Sequence, residues 1–313
     1  MQRVEKHNTI RYLRHEEIDC EKWDRCVAQS VSGIIYAYSW YLDIVCDAWD
    51  GLVLGDYDAV FPLPVRKKRG ISYICNPPFT QQLGLFSLFP AEAALVDQFL
   101  KAIPGRFVLV ELMINKMSKP EKLAVMQRDN YELSLDAPVD ILRGRYSTNL
   151  KRNIKKAVQQ QLSVAEYGKV EDIIDLFRAN RGRALSDFSE EYYIRLSRLY
   201  YSLYHKGMAK AYGVFNEQNE LIAGAVFFFE HERTIFVFSG TNDEAKEKGA
   251  MPLLIDKVIE KFSSSGMILD FEGSMDSGLA RFYKSFGASL NSYWFWRRSM
   301  IPRWLLALVK KLK

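Results

Sequence analysis

The sequence predicts an α+β fold of two tandem units, each a mixed, mostly antiparallel sheet flanked by helices. Three observations carry that expectation. The chain has 313 residues, enough for two units of about 150 that each bury a core. Its second half reads helix, helix, three strands, helix, strand, helix, strand, with short polar turns between the three strands. Its first half has the same coarse sense of strands, a helix, a central strand and a helix, although no sequence repeat joins the halves.

Composition narrows the class. Hydrophobic residues make up 48% and charged residues 26%, proportions of a globular chain that exclude wholesale disorder. The net charge of +5, from 43 basic and 38 acidic residues, is too small for a dedicated nucleic-acid binder but leaves room for one anionic ligand. Cys20, Cys26, Cys46 and Cys75 match no CxxC or zinc spacing and have no histidine beside them, so they read as reduced, partly buried thiols, and no metal is expected. Residues 1–17 alternate charges without the apolar core of a signal peptide, and no stretch reaches the roughly 18 apolar residues of a membrane span. The expected location is cytoplasmic.

The first unit is expected over 1–140. It opens with a strand at 10–13 and one or two helices within 23–46 that turn Trp40, Tyr41, Ile44 and Val45 inward. A hairpin of 52–55 and 59–65 turns at Asp56-Tyr57-Asp58, and 66–70 is a basic turn. Residues 71–89 give a strand and then an ordered loop, because Pro77 and Pro78 cannot lie inside a ladder. A helix at 91–102, a strand at 107–114, a helix at 119–128 and a closing strand at 131–135 complete it.

Ala137-Pro138 marks the change to a second unit over 141–313. Ser147 or Thr148 caps a helix running to about Gln161, and amphipathic helices follow at 170–181 and 189–206. Strands at 209–215, 221–229 and 234–239 form a meander, followed by a helix at 251–262, a strand at 267–271, a helix at 278–286 and a strand at 289–296. A terminal helix at 301–313 carries Trp304, Leu305, Leu308 and Leu312 on one side and Lys310, Lys311 and Lys313 at its end. Such a helix either docks on its own core or makes peripheral contact with an anionic membrane.

Three segments give the second half a recognisable character: the basic run Tyr146-Ser147-Thr148-Asn149-Leu150-Lys151-Arg152-Asn153-Ile154-Lys155-Lys156-Ala157, the strand end Asp270-Phe271-Glu272-Gly273-Ser274, and the helix Arg281-Phe282-Tyr283-Lys284-Ser285-Phe286-Gly287-Ala288. With them, residues from about 140 to 297 resemble the GNAT acyltransferases, and the basic run resembles the start of the corresponding domain in Fem-type (FemABX-like) tandem-GNAT aminoacyltransferases. Over the first 140 residues the resemblance is one of architecture alone. It implies two tandem GNAT-like domains and an N-acyltransferase that moves an acyl group, first of all acetyl from acetyl-CoA, to an amine of a sugar, amino acid or cell-envelope precursor. The alternatives are a Fem-type transferase that takes its acyl group from aminoacyl-tRNA and acts on a peptidoglycan precursor, and a non-catalytic binding module that keeps the fold.

The resemblance also assigns roles. In GNAT proteins a loop holds the coenzyme A pyrophosphate at a helix N-terminus, and Lys246, Lys248, Gly249, Ala250 and Met251 stand there in this chain. The family pattern asks for Gln or Arg, two residues, Gly, one residue, then Gly or Ala. This chain offers Lys246, Gly249 and Met251, a departure at the last position, and Gly249-Ala250 ahead of Pro252 equally reads as a plain helix start. Tyr283 stands where family members place the tyrosine that protonates the departing thiolate, and it equally suits a core position between Leu279, Phe282 and Phe286. Asp270 and Glu272 are expected on one face of their strand, with Glu272 the preferred base, although an acid at a strand end also commonly bonds a turn. Lys151, Arg152 and Lys155 form an exposed basic strip suited to a phosphate-bearing substrate or to plain solvation. Gln81 and Gln82, in the 76–84 loop, would help wall an acceptor cleft between the domains. His7, His15, His205 and His231 are scattered and no nucleophile triad is present. Amine attack on a thioester needs none, only positioning, an oxyanion donor and proton management.

Overall fold

The computed structural model describes residues 9–68, 70–184, 189–273 and 275–301. They form two compact units. One holds the described residues up to Arg128 together with those from Ser292 onward, and the other holds Asp129–Asn291.

In the first unit, β1 (Ile10–Leu13), α1 (Cys20–Gln29) and α2 (Ser39–Val45) lead into the hairpin of β2 (Ala48–Leu54) and β3 (Ala59–Lys68). There follow β4 (Ile71–Cys75), β5 (Phe86–Ser87), α3 (Ala93–Ala102), β6 (Leu109–Ile114) and β7 (Val125–Arg128). The sheet runs β1-β2-β3-β4-β6, then the strand at Tyr293–Ser299, then β7, with β5 alongside β3. Every pairing is antiparallel except β4 with β6. The apolar face of α3, with Val96, Phe99 and Leu100, closes over Phe61, Leu63, Val110 and Leu112, which is the burial that stabilises this unit.

The second unit contains β8 (Tyr131–Ser134), α4 (Val139–Gly144), α5 (Thr148–Gln159), β9 (Ser163–Glu166), α6 (Val170–Ala179) and α7 (Glu190–Tyr204). Next come β10 (Ala209–Phe215), β11 (Leu221–Glu230), β12 (Arg233–Thr241), α8 (Asp243–Lys248), α9 (Ala250–Phe262), β13 (Ile268–Asp270), α10 (Ser277–Lys284) and β14 (Ser289–Leu290). The sheet order is β14-β8-β13-β12-β11-β10-β9, antiparallel but for β12 with β13. Its two faces are unlike. Tyr212, Val214, Ala223 and Ala225 pack with Leu254, Val258 and Ile259 of α9. The alternate residues Gly213, Gly224 and Gly240 pair across three neighbouring strands and face the other way. There α6 lies directly on the backbone: a Cβ on Gly224 would stand 2.5 Å from Ile173 Cγ1, and one on Gly240 would press into the Ile173 carbonyl and the Phe177 amide.

The two-sheet α+β expectation holds, and long-range pairing revises four of its parts. Residues 119–128 are not a helix: Val125–Arg128 pairs with Tyr293–Trp296 as an edge strand, and this long-range pairing overrides the local pattern. Residues 131–134 do not close the first sheet but pair with β13 and β14 in the second. The strand expected at 289–296 is two strands. Ser289–Leu290 joins the second sheet, while β15 (Tyr293–Ser299) enters the first between β6 and β7. The unit boundary therefore lies at 128/129 rather than 140/141, and the chain returns to the first unit at Ser292. The expected helix at 301–313 lies outside the described residues from 302 onward. Among the described residues no helix is long and apolar enough to cross a membrane.

The close approach of α6 gives a test. Gly240→Ala should lower the unfolding free energy of the second unit by about 2–3 kcal/mol, because backbone rather than a flexible side chain opposes the added methyl. Gly168→Ala, where nothing lies within 4 Å, should be neutral or slightly stabilising. Equal denaturation midpoints for the two variants would refute this account of the packing.

Candidate functional site

Parallel pairing of β12 with β13 ends at Ile235 and Asp270, while β12 runs on to Thr241. From Phe236 onward, no strand among the described residues pairs with β12 on that side. One further irregularity shapes this stretch. Val226 pairs with Phe238 and Phe227 with Phe236, so Val237 is the extra residue of a β-bulge. The bulge shifts the side-chain alternation, and Phe236, Ser239 and Thr241 all line one cavity of about 690 Å³.

The other walls come from five helices, α8 with Ala245 and Lys246 among them, and the turn after α6. Asn153 comes from α5, Phe177 from α6, Asn180 and Arg181 from the turn beyond it, Met251 and Pro252 from α9, and Leu279, Phe282 and Tyr283 from α10. The direct seating of α6 on Gly224 and Gly240 sets the depth at which Phe177 and the turn beyond it meet the cavity. Lys246 of α8 spans part of the rim, its Nζ donating to Asn180 Oδ1 at 3.1 Å and Asp243 Oδ1 at 2.8 Å.

Tyr283 is the best-defined chemical group here. It is 7% exposed, its ring stacks on Phe271 with centroids 4.9 Å apart, and Phe236 meets it edge-on at 6.5 Å. Burial holds its phenol well above the usual tyrosine range, the negative charge of Glu272 pushes the same way, and Arg181 opposes both. The hydroxyl is therefore a neutral donor at ordinary pH. Asp276 fixes the helix that carries it, accepting from the amides of Gly278 and Leu279 at 2.8 and 2.9 Å.

Asp270 and Glu272 do not share a strand face. Asp270 ends β13, and Glu272 lies beyond it in a turn with φ of +52°, its amide donating to Asp270 Oδ1 at 2.9 Å. The Asp270 carboxylate is buried and also accepts from Arg233 Nη1 at 3.0 Å and Asn130 Nδ2 at 3.1 Å, and Arg233 reaches Glu132 at 2.8 Å. This carboxylate holds the sheet together and is spent as a base. Glu272 is half-buried and close enough to Tyr283 to act on it electrostatically.

The segment expected to form the pyrophosphate loop is helical on both sides of a single residue. Lys246 and Lys248 belong to α8, and Gly249 alone joins that helix to α9, as cap of the first and start of the second, with φ of +76°. Its amide is taken by Ala245 O, and a Cβ there would stand 2.7 Å from the Asn153 carbonyl, so backbone conformation and the packing of α5 both demand glycine. Lys246, Gly249 and Met251 line the cavity. Ala250 is buried in the core behind it, and Lys248 pairs with Glu244 at 2.9 Å.

On α5, Lys151, Arg152 and Lys155 are exposed and turned away from the cavity that their neighbour Asn153 lines. Lys151 and Lys155 instead border a separate depression of about 480 Å³ with Arg143 and Asp256. Gln81 and Gln82 lie in the first unit, Gln82 buried and donating to Gln81 Oε1 at 3.1 Å. In that unit the gap beside the parallel pair β4–β6 is filled by its own chain. Leu83 donates to Met113 O and accepts from Asn115 N, and the Asn76 side chain bonds both backbone groups of Met113. Among the described residues no cluster of His, Cys, Asp and Glu is arranged to hold a metal ion.

Sequence reasoning missed Asn153, Asn180, Arg181, Ser239 and Thr241. The available signals were the pairing of three glycines across β10, β11 and β12, and two hydroxyl residues at the end of the last meander strand.

No protein-family model matches the chain, and neither does any curated protein sequence. Solved structures are similar in fold. A crystal structure of FemX has a TM-score of 0.62 at 12% identity, covering 91% of this chain and 96% of that one. The structure of L-PGS from Bacillus licheniformis gives 0.58 at 13%, covering 94% and 96%. The C-terminal domain of a putative lysylphosphatidylglycerol synthetase from Agrobacterium fabrum gives 0.58 at 10%, covering 90% and 92%. The likeness extends through both units, and the chain has the tandem GNAT-like fold of the Fem type.

Proposed function

We propose that the second unit catalyses acyl transfer to an amine, with Tyr283 as the proton donor. The observation that supports this reading best is a buried, neutral phenol on the wall of a cavity that also takes in the unpaired end of β12. The donor's activated carbonyl lies against that open edge, whose backbone N–H groups stabilise the developing oxyanion. The acceptor nitrogen attacks the carbonyl carbon, and the tetrahedral intermediate collapses by breaking the bond to the leaving group. Tyr283 protonates that group as it departs. The proton shed by the attacking amine passes to Glu272 through water and from there returns to the Tyr283 phenolate, so both groups end as they began.

The donor is acetyl-CoA in the first reading and aminoacyl-tRNA in the second. The second is favoured by one specific feature: α8 and α9 meet at Gly249 without an open loop, and Pro252 removes one N–H from the first turn of α9. The acceptor in either case is a small amine, a sugar, amino acid or cell-envelope precursor. Thermal unfolding of the full chain with coenzyme A, acetyl-CoA and a non-hydrolysable aminoacyl-tRNA analogue separates the donors. A true donor at a hundredfold its Kd raises stability by about 2.7 kcal/mol. Absence of a shift with all three would sink the acyltransferase reading.

Tyr283→Phe should reduce kcat by about a hundredfold with donor affinity nearly unchanged. Undiminished turnover in a destabilised protein would assign Tyr283 to packing alone. The phenol also gives a pH signature. Its folded-state pKa is raised above the ordinary 10.0, so its contribution to stability is fully present below pH 10 and is lost as the pH climbs through the raised value. The wild-type unfolding midpoint should therefore fall above pH 10, and Tyr283→Phe should flatten that fall. Identical alkaline slopes would show that the phenol ionises equally easily in both states.

A further inference from the structure

Residues 141–165 contain six cations and no carboxylate. Arg143 is engaged with Asp256 and Glu260. The other five, Arg145, Lys151, Arg152, Lys155 and Lys156, are exposed and make no ion pair among the described residues. Lys151, Lys155 and Val158 follow one another at helical spacing on α5, and Val158 is 59% exposed. Ile141 lies on α4, whose Asp140, Arg143 and Gly144 line the depression that Lys151 and Lys155 border, and it is 55% exposed. The segment's only aromatic residue, Tyr146, is buried with its hydroxyl on Asp256, so the face offers nothing for bases to stack on.

We infer that the outer face of α4 and α5 docks on an anionic lipid bilayer. Cations interleaved with exposed aliphatic side chains are the pattern of an interfacial surface: the ammonium and guanidinium groups meet lipid phosphates, and the aliphatic groups enter the acyl boundary. A polynucleotide site would interleave aromatic platforms instead. Asp140 is the one acid lining the depression other than the neutralised Asp256, and it lies at the start of α4. The inference is independent of the reaction, since the cavity is reached from α5 through Asn153, a different side of the helix.

The test is co-sedimentation of the full chain with vesicles of phosphatidylcholine alone and of phosphatidylcholine with a quarter phosphatidylglycerol. Binding is expected only to the anionic vesicles and should be released by high salt. Lys151→Glu with Lys155→Glu should weaken it by about 25-fold or more, at roughly fivefold for each cation lost. Val158→Ser, which removes the aliphatic contact without adding charge, should weaken it several-fold without changing the salt dependence. Lys151→Gln with Lys155→Gln, expected to act in the same direction, serves if the reversed pair fails to fold. The inference is overturned by equal binding to both vesicle types or by unchanged binding in the variants. It is equally overturned if deleting 302–313 abolishes binding that the face variants retain, or if the variants lose affinity for polyribonucleotide but not for vesicles.

Discussion

The second unit depends on one short parallel pairing in an otherwise antiparallel sheet. Only Arg233–Ile235 of β12 and Ile268–Asp270 of β13 run side by side, and the pairing stops where β12 still has six residues to run. The place at which the strands part is fixed by charge. Arg233 bonds both Asp270 and Glu132 within a largely buried cluster, with Asn130 donating to Asp270. Removing one partner of such a cluster strands a buried charge and typically costs about 3–5 kcal/mol. The cluster ties β8, β12 and β13 together at one end, and the cavity lies along the unpaired remainder of β12.

Local pattern made the second unit legible. The meander of β10, β11 and β12 was readable because short polar turns separate runs of strand-forming residues, and Ser147 announced α5 by its capping hydroxyl, which accepts from Leu150 N. Pairing partners were not readable in the same way. Nothing in Ser289–Ser299 says that the chain changes sheets at Asn291, because both halves carry the composition of a strand. Val125–Arg128 looked helical for the same reason: its strand state is imposed by β15, more than 160 residues away.

The site was legible to the extent that it follows local sequence. Tyr283, Lys246, Gly249 and Met251 were placed together by their segments and do line one cavity. The paired acids failed because strand alternation was carried two residues too far. The chain leaves β13 at Asp270, and the positive φ at Glu272 sends its side chain elsewhere. The residues missed were hidden by a bulge at Val237 and by glycines whose role is to admit α6. Both are features of one strand's relation to its neighbours and have no signature within a single segment.

Comparison of the units shows how one architecture arrives at a filled gap and an open one. Each sheet has a single parallel pair, β4 with β6 and β12 with β13. In the first unit the segment after β4 contains Pro77 and Pro78 and turns back, so that Leu83 satisfies backbone groups of Met113 and Asn115 at the end of β6. In the second unit the segment after β12 goes straight into α8, whose cap Asn242 accepts from Ala245 N, and then through Gly249 into α9. Among the described residues no segment returns to the open edge there. The difference lies in the connection rather than in the strands, because helix capping at Asn242 commits the chain to a direction in which it cannot cover β12. Gly249 completes the effect. Its missing side chain lets α5 close on the α8–α9 junction, so the cavity is walled by packed helices while the far end of β12 stays unpaired on that side among the described residues.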